Sequence, residues 1–305
     1  MNDTFDVMII GAGAAGLTAG IYASRARLST LILNEGAVGG QMVLTNEVAN
    51  YPGVETTNGY ALANIMKKQA KSFGCKIKSN IKISRYNFEG DVKEVELEDG
   101  RSFRAKTVIL TPGGRPRSLN VPGEDTFKGT GISYCATCDG DFFKDKEIAV
   151  IGGGNSALEE AVTLTNYASK VTVVHQFDHF QAFEHAVEEA RKNEKIDFVM
   201  ESEPRAFQGN GQLQNMTVEH LPTGEQKSLN VEGAFIFVGY LPNTESLGGV
   251  VELNERNEIV VDRDMKTNIP GVFAAGDSIN KRYRQITTAT AEGTIASLSA
   301  GEYLR

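Results

Sequence analysis

The chain has 305 residues, of which 41% are hydrophobic and 23% are charged, both ordinary values for a globular protein. This length exceeds the usual size of one domain, so we expect two domains, each with its own core. The 31 basic and 39 acidic residues give a net charge of 31 − 39 = −8, which argues against a surface that binds nucleic acid.

The apolar stretch near the start of the chain is interpreted as part of the fold. Asp3 and Asp6 stand where the basic residues of a signal peptide would be needed. No apolar run reaches the length of a membrane span without glycine or charge. The sequence therefore predicts a soluble, cytoplasmic protein that does not bind membranes.

Two stretches of the chain share one plan. Residues 5–36, FDVMIIGAGAAGLTAGIYASRARLSTLILNEG, predict an apolar strand, a glycine-rich turn, an amphipathic helix and a second strand, and residues 146–177 repeat this order. Each is a strand–helix–strand unit of the kind that opens a nucleotide-binding domain. We predict an α/β protein with two Rossmann-like domains of the three-layer ββα type.

Breaks in the pattern predict how the two domains are connected. Each nucleotide unit is followed by alternating runs typical of a β-meander, at 82–106 and 204–238. Proline and glycine then interrupt the chain at 107–125 and 237–243. The last apolar strand, in IPGVFAAGD, indicates that the chain returns to the first domain. The expected domains are residues 1–115 with 244–305, and residues 116–243 inserted between them.

The first glycine-rich turn, GAGAAG, predicts a dinucleotide site. Gly11, Gly13 and Gly16 allow a tight turn, a close approach of the backbone to a pyrophosphate, and packing of helix on strand. Glu35 lies 19 residues after Gly16 at the end of the second strand, where a carboxylate can bind an adenosine ribose. The pattern alone does not choose between FAD and NAD.

The segment CATCDG is compatible with a zinc site or with a redox pair. Zinc needs about four ligands, but only one CxxC exists, and Cys75 lies in the other predicted domain. Three clustered histidines, at 175, 179 and 185, offer no regular ligand pair. A redox pair needs two thiols and a group that manages protons, which Cys135, Cys138 and Asp139 supply. We favour the redox pair and expect no bound metal.

Together, GAGAAG, GGQ, NYPG, CATCDG, GGGNSA and AAGDSINKRYRQITTA resemble motifs of the low-molecular-weight thioredoxin reductases, from the first strand to the last helix. In that family the first domain holds FAD, the inserted domain holds NADPH and the CxxC, and the protein is a homodimer that reduces thioredoxin. The resemblance implies that Asp277 binds the ribityl chain, that Cys138 is the sulfur nearer the flavin, and that Asp139 protonates the departing thiolate. The implied FAD contacts are Gly11, Gly13, Ala14, Gly16, Glu35, Gly40, Gln41, Asn50, Asp277, Arg284, Gln285 and Ile286.

The second glycine-rich turn, GGGNSA, keeps the G-x-G-x-x-A spacing but lacks the residues that select NADPH. NADPH-dependent members of the family carry a His-Arg-Arg pattern and a further arginine, and this chain has Gln176, Phe177 and Gln181 at those positions. From His175 to Ala190 there is no lysine or arginine. Acids at 178, 184, 188 and 189 would repel a 2′-phosphate. Asp178 stands two residues past the ideal place for an acid that selects NADH.

A flavin can accept one electron at a time, so an iron–sulfur protein could replace the pyridine nucleotide as donor. A small group of relatives known from clostridia lacks the arginine pattern and uses reduced ferredoxin, which is the donor we favour. Ferredoxin is usually acidic, and the run NKRYR offers Lys281, Arg282 and Arg284 as a docking patch. The alternatives are an NADH- or NADPH-dependent thioredoxin reductase, a ferredoxin–nucleotide oxidoreductase of the same fold, and a flavin redox sensor without turnover.

Overall fold

The computed structural model describes residues 4–45 and 48–305, so the prediction about Asp3 lies outside the described residues. The chain forms two compact units. Unit 1 contains the described residues up to Arg115 together with Leu241–Arg305, and unit 2 is Pro116–Tyr240. Unit 2 is therefore an insertion in the chain of unit 1.

The elements alternate between strand and helix in the first part of each unit. The strands are Thr4–Ile10 (β1), Thr30–Asn34 (β2), Lys76–Ser79 (β3), Ile83–Asn87 (β4), Lys93–Leu97 (β5), Ser102–Leu110 (β6), Gly114–Pro116 (β7), Ile132–Ser133 (β8), Glu147–Ile151 (β9), Lys170–Val174 (β10), Ile196–Val199 (β11), Ser202–Gly209 (β12), Leu213–His220 (β13), Glu225–Asn230 (β14), Gly233–Ile236 (β15), Tyr240–Pro242 (β16) and Val272–Ala274 (β17). The α-helices are Ala14–Arg25 (α1), Gly59–Ser72 (α2), Glu124–Phe127 (α3), Ala136–Asp139 (α4), Asn155–Leu164 (α5), Glu184–Lys192 (α6) and Ile286–Tyr303 (α7), with 3₁₀ turns at Gly40–Leu44, Gly140–Phe143 and Glu245–Leu247.

Unit 1 has three layers. Strands β3, β2, β1 and β6 are parallel, and β17 pairs in parallel with the last three residues of β6. The first half of β6 pairs antiparallel with β5, and β5 pairs antiparallel with β4. Because side chains alternate along a strand, Val7 and Ile9 face a core shared with α1 and α2, while Met8 and Ile10 face a core shared with β5. Helices thus cover one face of the sheet and a meander covers the other.

Unit 2 repeats this plan. Its strands β11, β10, β9, β15 and β8 are all parallel, and β12, β13 and β14 form a separate antiparallel meander. Ile148 and Val150 pack with α5 and α6, whereas Ala149 and Ile151 pack with the meander. The predicted fold class, two Rossmann-like units with the second inserted into the first, is confirmed. Within the described residues, no helix is both long and apolar enough to cross a membrane.

Helices α1 and α7 approach each other closely because a glycine lies where they meet. Gly293, in the middle of α7, is buried, and a Cβ atom there would overlap the carbonyl oxygen of Ala15 in α1. Gly301, two turns further along the same helix, has more room, since its Cβ would lie 3.8 Å from Leu28 Cδ1. An added methyl group would therefore clash at Gly293 and fit at Gly301.

We predict that Gly293→Ala destabilises unit 1 by about 1–3 kcal/mol, because the helices must separate to admit the methyl group. Gly301→Ala is the matched control and should be neutral or stabilising by up to about 1 kcal/mol through helix propensity. Urea denaturation midpoints of the two variants test this. Equal midpoints for the two variants would contradict the close packing of α1 on α7.

Candidate functional site

The parallel strands of unit 1 end at one edge of the sheet. Gly11 directly follows β1, Glu35 directly follows β2, Thr111 directly follows β6, and Asp277 lies three residues after β17. Ligands of open parallel sheets bind outside the carboxyl ends of the strands. The residues predicted from the glycine turn and from the C-terminal segment are thus brought to the same edge.

The glycine turn is held tightly on one side and open on the other. Gly11 has a φ of +108°, and a Cβ there would overlap the carbonyl oxygen of Thr111. A Cβ on Gly16 would overlap the carbonyl oxygen of Gly11. The nearest atom to a Cβ on Gly13, by contrast, would be the Cα of Gly40 at 3.9 Å. This space lies at the first turn of α1, whose N–H groups have no partners within the helix.

Side chains at the end of β2 support the turn. Asn34 accepts the backbone N–H of Ala12 through Oδ1 at 2.9 Å and donates through Nδ2 to the carbonyl oxygen of Ala37 at 3.1 Å. Glu35 Oε1 accepts the N–H of Ile83 at 3.0 Å, which holds the carboxylate at the strand end. This role of Asn34 was not predicted from the sequence, although a polar residue at the end of a buried strand can indicate a ligand edge.

Residues from distant parts of unit 1 meet at the start of α7. Asn50 Nδ2 donates to Gln285 Oε1 at 3.4 Å. The N–H of Gln285 donates to Thr288 Oγ1 at 3.2 Å, and Ile286 is the first residue of the helix. Gln41 lies exposed in the 3₁₀ turn beside Gly40. The structure therefore brings Asn50 to Gln285 and Gly40 to the glycine turn.

Asp277 belongs to a partly buried ionic cluster that sequence reasoning missed. Lys281 Nζ lies 3.0 Å from Asp277 Oδ1 and 2.9 Å from Glu292 Oε2. Glu292 Oε2 also accepts the N–H of Gly276 at 3.0 Å, and burial raises the pKa of this carboxyl group. The side chain of Lys281 is only 9% exposed. The spacing of four residues from Asp277 to Lys281 was the available signal.

This cluster corrects the interpretation of NKRYR as a docking patch. Lys281 is committed to Asp277 and Glu292, and Arg284 pairs with Glu258 and donates from Nε to the carbonyl oxygen of Asp277 at 3.3 Å. Both cations are therefore used inside unit 1. Of the three basic residues only Arg282 is exposed, and its guanidinium lies 5.2 Å from the ring centroid of Tyr283.

These features fit a dinucleotide whose adenosine ribose carries no 2′-phosphate. The open side of Gly13 leaves room for a pyrophosphate at the N-terminus of α1, and the positive end of the helix dipole favours its charge. Glu35 stands at the strand end where ribose hydroxyl groups are bound. Gly40 is confined beside Gly13, since a Cβ on it would lie 3.1 Å from the Gly13 Cα. The open turn, the helix N-terminus and the carboxylate at the strand end therefore fit the pyrophosphate and ribose of a dinucleotide such as FAD.

In unit 2, Cys135 and Cys138 form a disulfide at the short helix α4. The N–H groups of Cys138 and Asp139 both donate to the carbonyl oxygen of Cys135, at 3.3 and 3.2 Å, which closes the loop. Asp139 is half-buried and accepts the hydroxyl of Ser133 at 2.5 Å. Burial, opposed by this hydrogen bond, raises the pKa of Asp139. The pair and the acid are therefore adjacent, as CATCDG predicts.

Cys75 is separate from this chemistry. It lies between α2 and β3, is 4% exposed, and packs against Gly20 of α1. Burial raises the pKa of its thiol to about 11, so the reactive thiolate is not populated near neutral pH. Within the described residues, no group of three His, Cys, Asp or Glu side chains could hold a metal ion.

The second glycine turn, in unit 2, is open, but a loop without cations lies beside it. Nothing lies within 4 Å of a Cβ on Gly154, whereas a Cβ on Gly153 would overlap the ring of His175. His175 is 4% exposed, its Nε2 lies 3.1 Å from the carbonyl oxygen of His179, and burial lowers the pKa of its ring. The N–H of Gln181 donates to the carbonyl oxygen of Gly153 at 2.8 Å.

The loop is anchored further along and carries aromatic rings instead of arginines. The N–H of Phe183 donates to Asn155 Oδ1 at 2.7 Å, at the first turn of α5. The rings of Phe177 and His179 stack at 5.8 Å between centroids, and Asp178 pairs with His179. Arg191, the first cation after the loop, lies 6.0 Å from the ring centroid of Phe180. The end of β10 thus presents carboxylate and aromatic groups.

A dinucleotide site in one unit and a disulfide next to an acid in the other define a flavin-dependent disulfide oxidoreductase. The pyridine nucleotide-disulphide oxidoreductase family matches residues 5–293. A thioredoxin reductase of Peptoclostridium acidaminophilum is 42% identical over 100% of this chain and 98% of its own, and one of Bacillus subtilis is 42% identical over 98% and 95%. A crystal structure of thioredoxin reductase from Streptococcus pyogenes matches with a TM-score of 0.94 and 41% identity, covering 100% and 99%.

The chain therefore belongs to the pyridine nucleotide-disulphide oxidoreductases, and within them to the low-molecular-weight thioredoxin reductases. The predicted family, the predicted enzyme class and FAD as the cofactor are confirmed. Membership of a family of oxidoreductases favours turnover over the alternative of a sensor that only binds flavin.

We predict that Lys281→Met destabilises unit 1 by roughly 3 kcal/mol, because two partly buried carboxylates lose their shared cation. Loss of the ammonium group also raises the pKa of Glu292 further. A buried carboxyl group with a raised folded pKa destabilises the fold as the pH rises above its unfolded pKa, so the deficit should grow as the pH rises above the ordinary range of a glutamate. Urea unfolding and the absorbance of retained flavin measure both effects.

Lys68→Met, the same change on an exposed lysine of α2, is the control and should alter neither quantity. A deficit that is the same for both variants, or that does not depend on pH, would contradict the role of the cluster.

Proposed function

We propose that this protein is a thioredoxin reductase that takes its electrons from reduced ferredoxin and not from a pyridine nucleotide. We infer that it acts as a homodimer in the cytoplasm. The family and the names of the relatives support the acceptor, and the loop after β10 supports the donor. The observation that carries the proposal is the replacement of a phosphate-binding site by carboxylates and aromatic rings at the end of β10.

Residues at the carboxyl edge of the sheet of unit 1 would hold FAD. Gly11 and Gly16 would shape the turn, Gly13 would let the pyrophosphate approach the backbone, and Glu35 and Asp277 would bind the adenosine ribose and the ribityl chain. When bound, FAD supplies the ability to accept single electrons and to release a pair. The remaining contacts that we assign to it are Ala14, Gly40, Gln41, Asn50, Arg284, Gln285 and Ile286.

Electrons and protons balance at the disulfide of unit 2. Two electrons and two protons convert the Cys135–Cys138 disulfide to two thiols, and Asp139 gives one of these protons to the departing thiolate. One cysteine then attacks the disulfide of thioredoxin as a thiolate, forming a mixed disulfide that the other cysteine resolves. The products are reduced thioredoxin and the original Cys135–Cys138 disulfide.

An NADH- or NADPH-dependent thioredoxin reductase is the second candidate. Its support is the open turn at Gly154, which has the space that a pyrophosphate requires. Anaerobic mixing of the oxidised protein with NADPH, NADH and reduced ferredoxin, each in turn, separates the candidates. We expect ferredoxin to bleach the flavin within catalytic time and NADPH to leave it oxidised for minutes. Rapid bleaching by micromolar NADPH would overturn the ferredoxin proposal.

The loop after β10 also predicts a gain of function. Replacing Gln176, Phe177 and Gln181 together by arginine should create a 2′-phosphate site, because each charge-assisted hydrogen bond contributes roughly 1.5–3 kcal/mol. Two such bonds correspond to a gain on the order of a hundredfold in the rate with subsaturating NADPH. The rate with NADH should change much less.

The control for this variant carries the same three charges on the meander of unit 2, as Gln212→Arg, Gln214→Arg and Gln226→Arg, at exposed positions. It should gain nothing with NADPH. A similar gain in both variants would mean that overall charge, and not the local site, limits the use of NADPH.

We predict that Cys135→Ser and Cys138→Ser each abolish multiple turnover of thioredoxin while FAD stays bound, since the cysteines belong to the other unit. Cys75→Ser is the matched control and should retain turnover, because that thiol is buried in unit 1. Turnover assays with stoichiometric flavin measure this. Sustained turnover by Cys138→Ser would exclude the disulfide mechanism.

Asp139→Asn should slow reduction of the disulfide by about 10²–10⁴-fold, the usual contribution of a general acid. Burial raises the pKa of Asp139, so the wild-type protein keeps this proton at a higher pH than an exposed carboxyl would. Solvent protons become scarcer as the pH rises, so the ratio of wild-type to variant rate should increase with pH up to the pKa of Asp139. A ratio that stays constant across the pH range would make Asp139 a bystander.

A further inference from the structure

Ser133 is a buried residue two positions before the first cysteine of the disulfide. It is the last residue of β8, which pairs in parallel with β15 through Ser133 and Phe235. The residue is 5% exposed. A hydroxyl group buried at the end of a paired strand must find hydrogen-bond partners, and its position is fixed by the sheet.

The hydroxyl of Ser133 joins the acid to the first cysteine. Ser133 Oγ donates to Asp139 Oδ2 at 2.5 Å and accepts the N–H of Cys135 at 3.1 Å. The carbonyl oxygen of Cys135 also lies 3.3 Å from Ser133 Oγ, but a hydroxyl has one hydrogen, and the shorter, charge-assisted contact takes it. One side chain thus holds both the carboxyl group and the start of the CxxC loop.

The Ser133 hydroxyl is the contact that favours the charged form of Asp139, whereas burial and the neighbouring acid disfavour it. Burial and repulsion from Asp141 both raise the pKa of Asp139, and the hydrogen bond from Ser133 lowers it. Helix α5, which packs against α4, carries Glu159 and Glu160. Next to Ser133 in the chain, the hydroxyl of Tyr134 donates to Glu124 at 2.6 Å, so these two side chains bind each other.

We propose that Ser133 is a positioning residue for the reduction of the disulfide: it fixes the Asp139 carboxyl group where it can deliver a proton to the thiolate. This inference rests on the proposed role of Asp139. As the reductant supplies two electrons and the S–S bond breaks, two thiolates form and two protons are taken up. One comes from the carboxyl group of Asp139, which regains it from solvent, and the other comes from solvent directly.

The test follows opening of the Cys135–Cys138 disulfide by dithiothreitol, with thiols counted after rapid quenching, from about pH 5.5 to about pH 9. This reductant makes the result independent of whether ferredoxin or NADPH is the donor. Rates are expressed relative to wild-type protein at each pH, which cancels the ionisation of the reductant.

Ser133→Ala should open about 10- to 100-fold more slowly at low pH, because the carboxyl group is no longer held in place. The deficit should shrink at higher pH, since loss of a hydrogen bond to the carboxylate lets Asp139 keep its proton longer. Ser133→Thr, which retains the hydroxyl, should behave like wild type, and Ser133→Val, its isostere, should behave like Ser133→Ala. Ser202→Ala removes another buried hydroxyl of unit 2 and should change nothing.

The decisive comparison uses Asp139→Asn as a background. If Ser133 acts through Asp139, then Ser133→Ala adds no further loss in that background. An equal loss in both backgrounds, or a Ser133→Val variant with the pH profile of Ser133→Thr, would overturn the inference. If Asp139→Asn itself has no effect, the proposed function of Asp139 fails, which is a separate outcome.

Discussion

The architecture depends on the close approach of backbone to backbone at the two glycine turns. At Gly11 and Gly16 in unit 1, and at Gly152 in unit 2, a single Cβ atom would overlap a carbonyl oxygen. Because these atoms are absent, helices α1 and α5 can begin directly against the carboxyl ends of strands β1 and β9. That contact aims unpaired N–H groups at the ligand edge, and the other elements of the unit are arranged around it.

The same turn can serve different ligands because selection takes place at the end of the following strand. In unit 1, Glu35 follows β2, and Asn34 holds the turn from below. In unit 2, β10 is followed by His175, Gln176 and Phe177. The loop is held to the turn by two backbone N–H groups, one bound to the carbonyl oxygen of Gly153 and one to the side chain of Asn155. A phosphate-binding site requires donors that reach outward, whereas this loop directs aromatic and acidic groups to that position.

The disulfide segment also lies where a parallel strand ends and a helix begins. Strand β8 carries Ser133 to the edge of the parallel sheet of unit 2, and the four residues of α4 set Cys138 and Asp139 one turn away from Cys135. The disulfide, the acid and the buried hydroxyl are therefore arranged by backbone hydrogen bonds. The hydrogen bond from Ser133 lowers the pKa of Asp139, against the burial that raises it.

The sequence by itself determined the fold class, the family and the candidate redox pair, because glycine spacing, strand periodicity and CATCDG are local signals that are read over a few residues. The assigned FAD contacts and the donor stay predictions. Only the tertiary structure decided the partners of charged and polar side chains. Lys281 and Arg284 look like an exposed basic patch in the sequence, yet each turns inward to acids 11 and 26 residues away. Nothing in the sequence singles out Ser133, because its hydrogen bond to Asp139 depends on how the chain turns from β8 into α4. Such pairings depend on which elements pack together, and local patterns do not encode that.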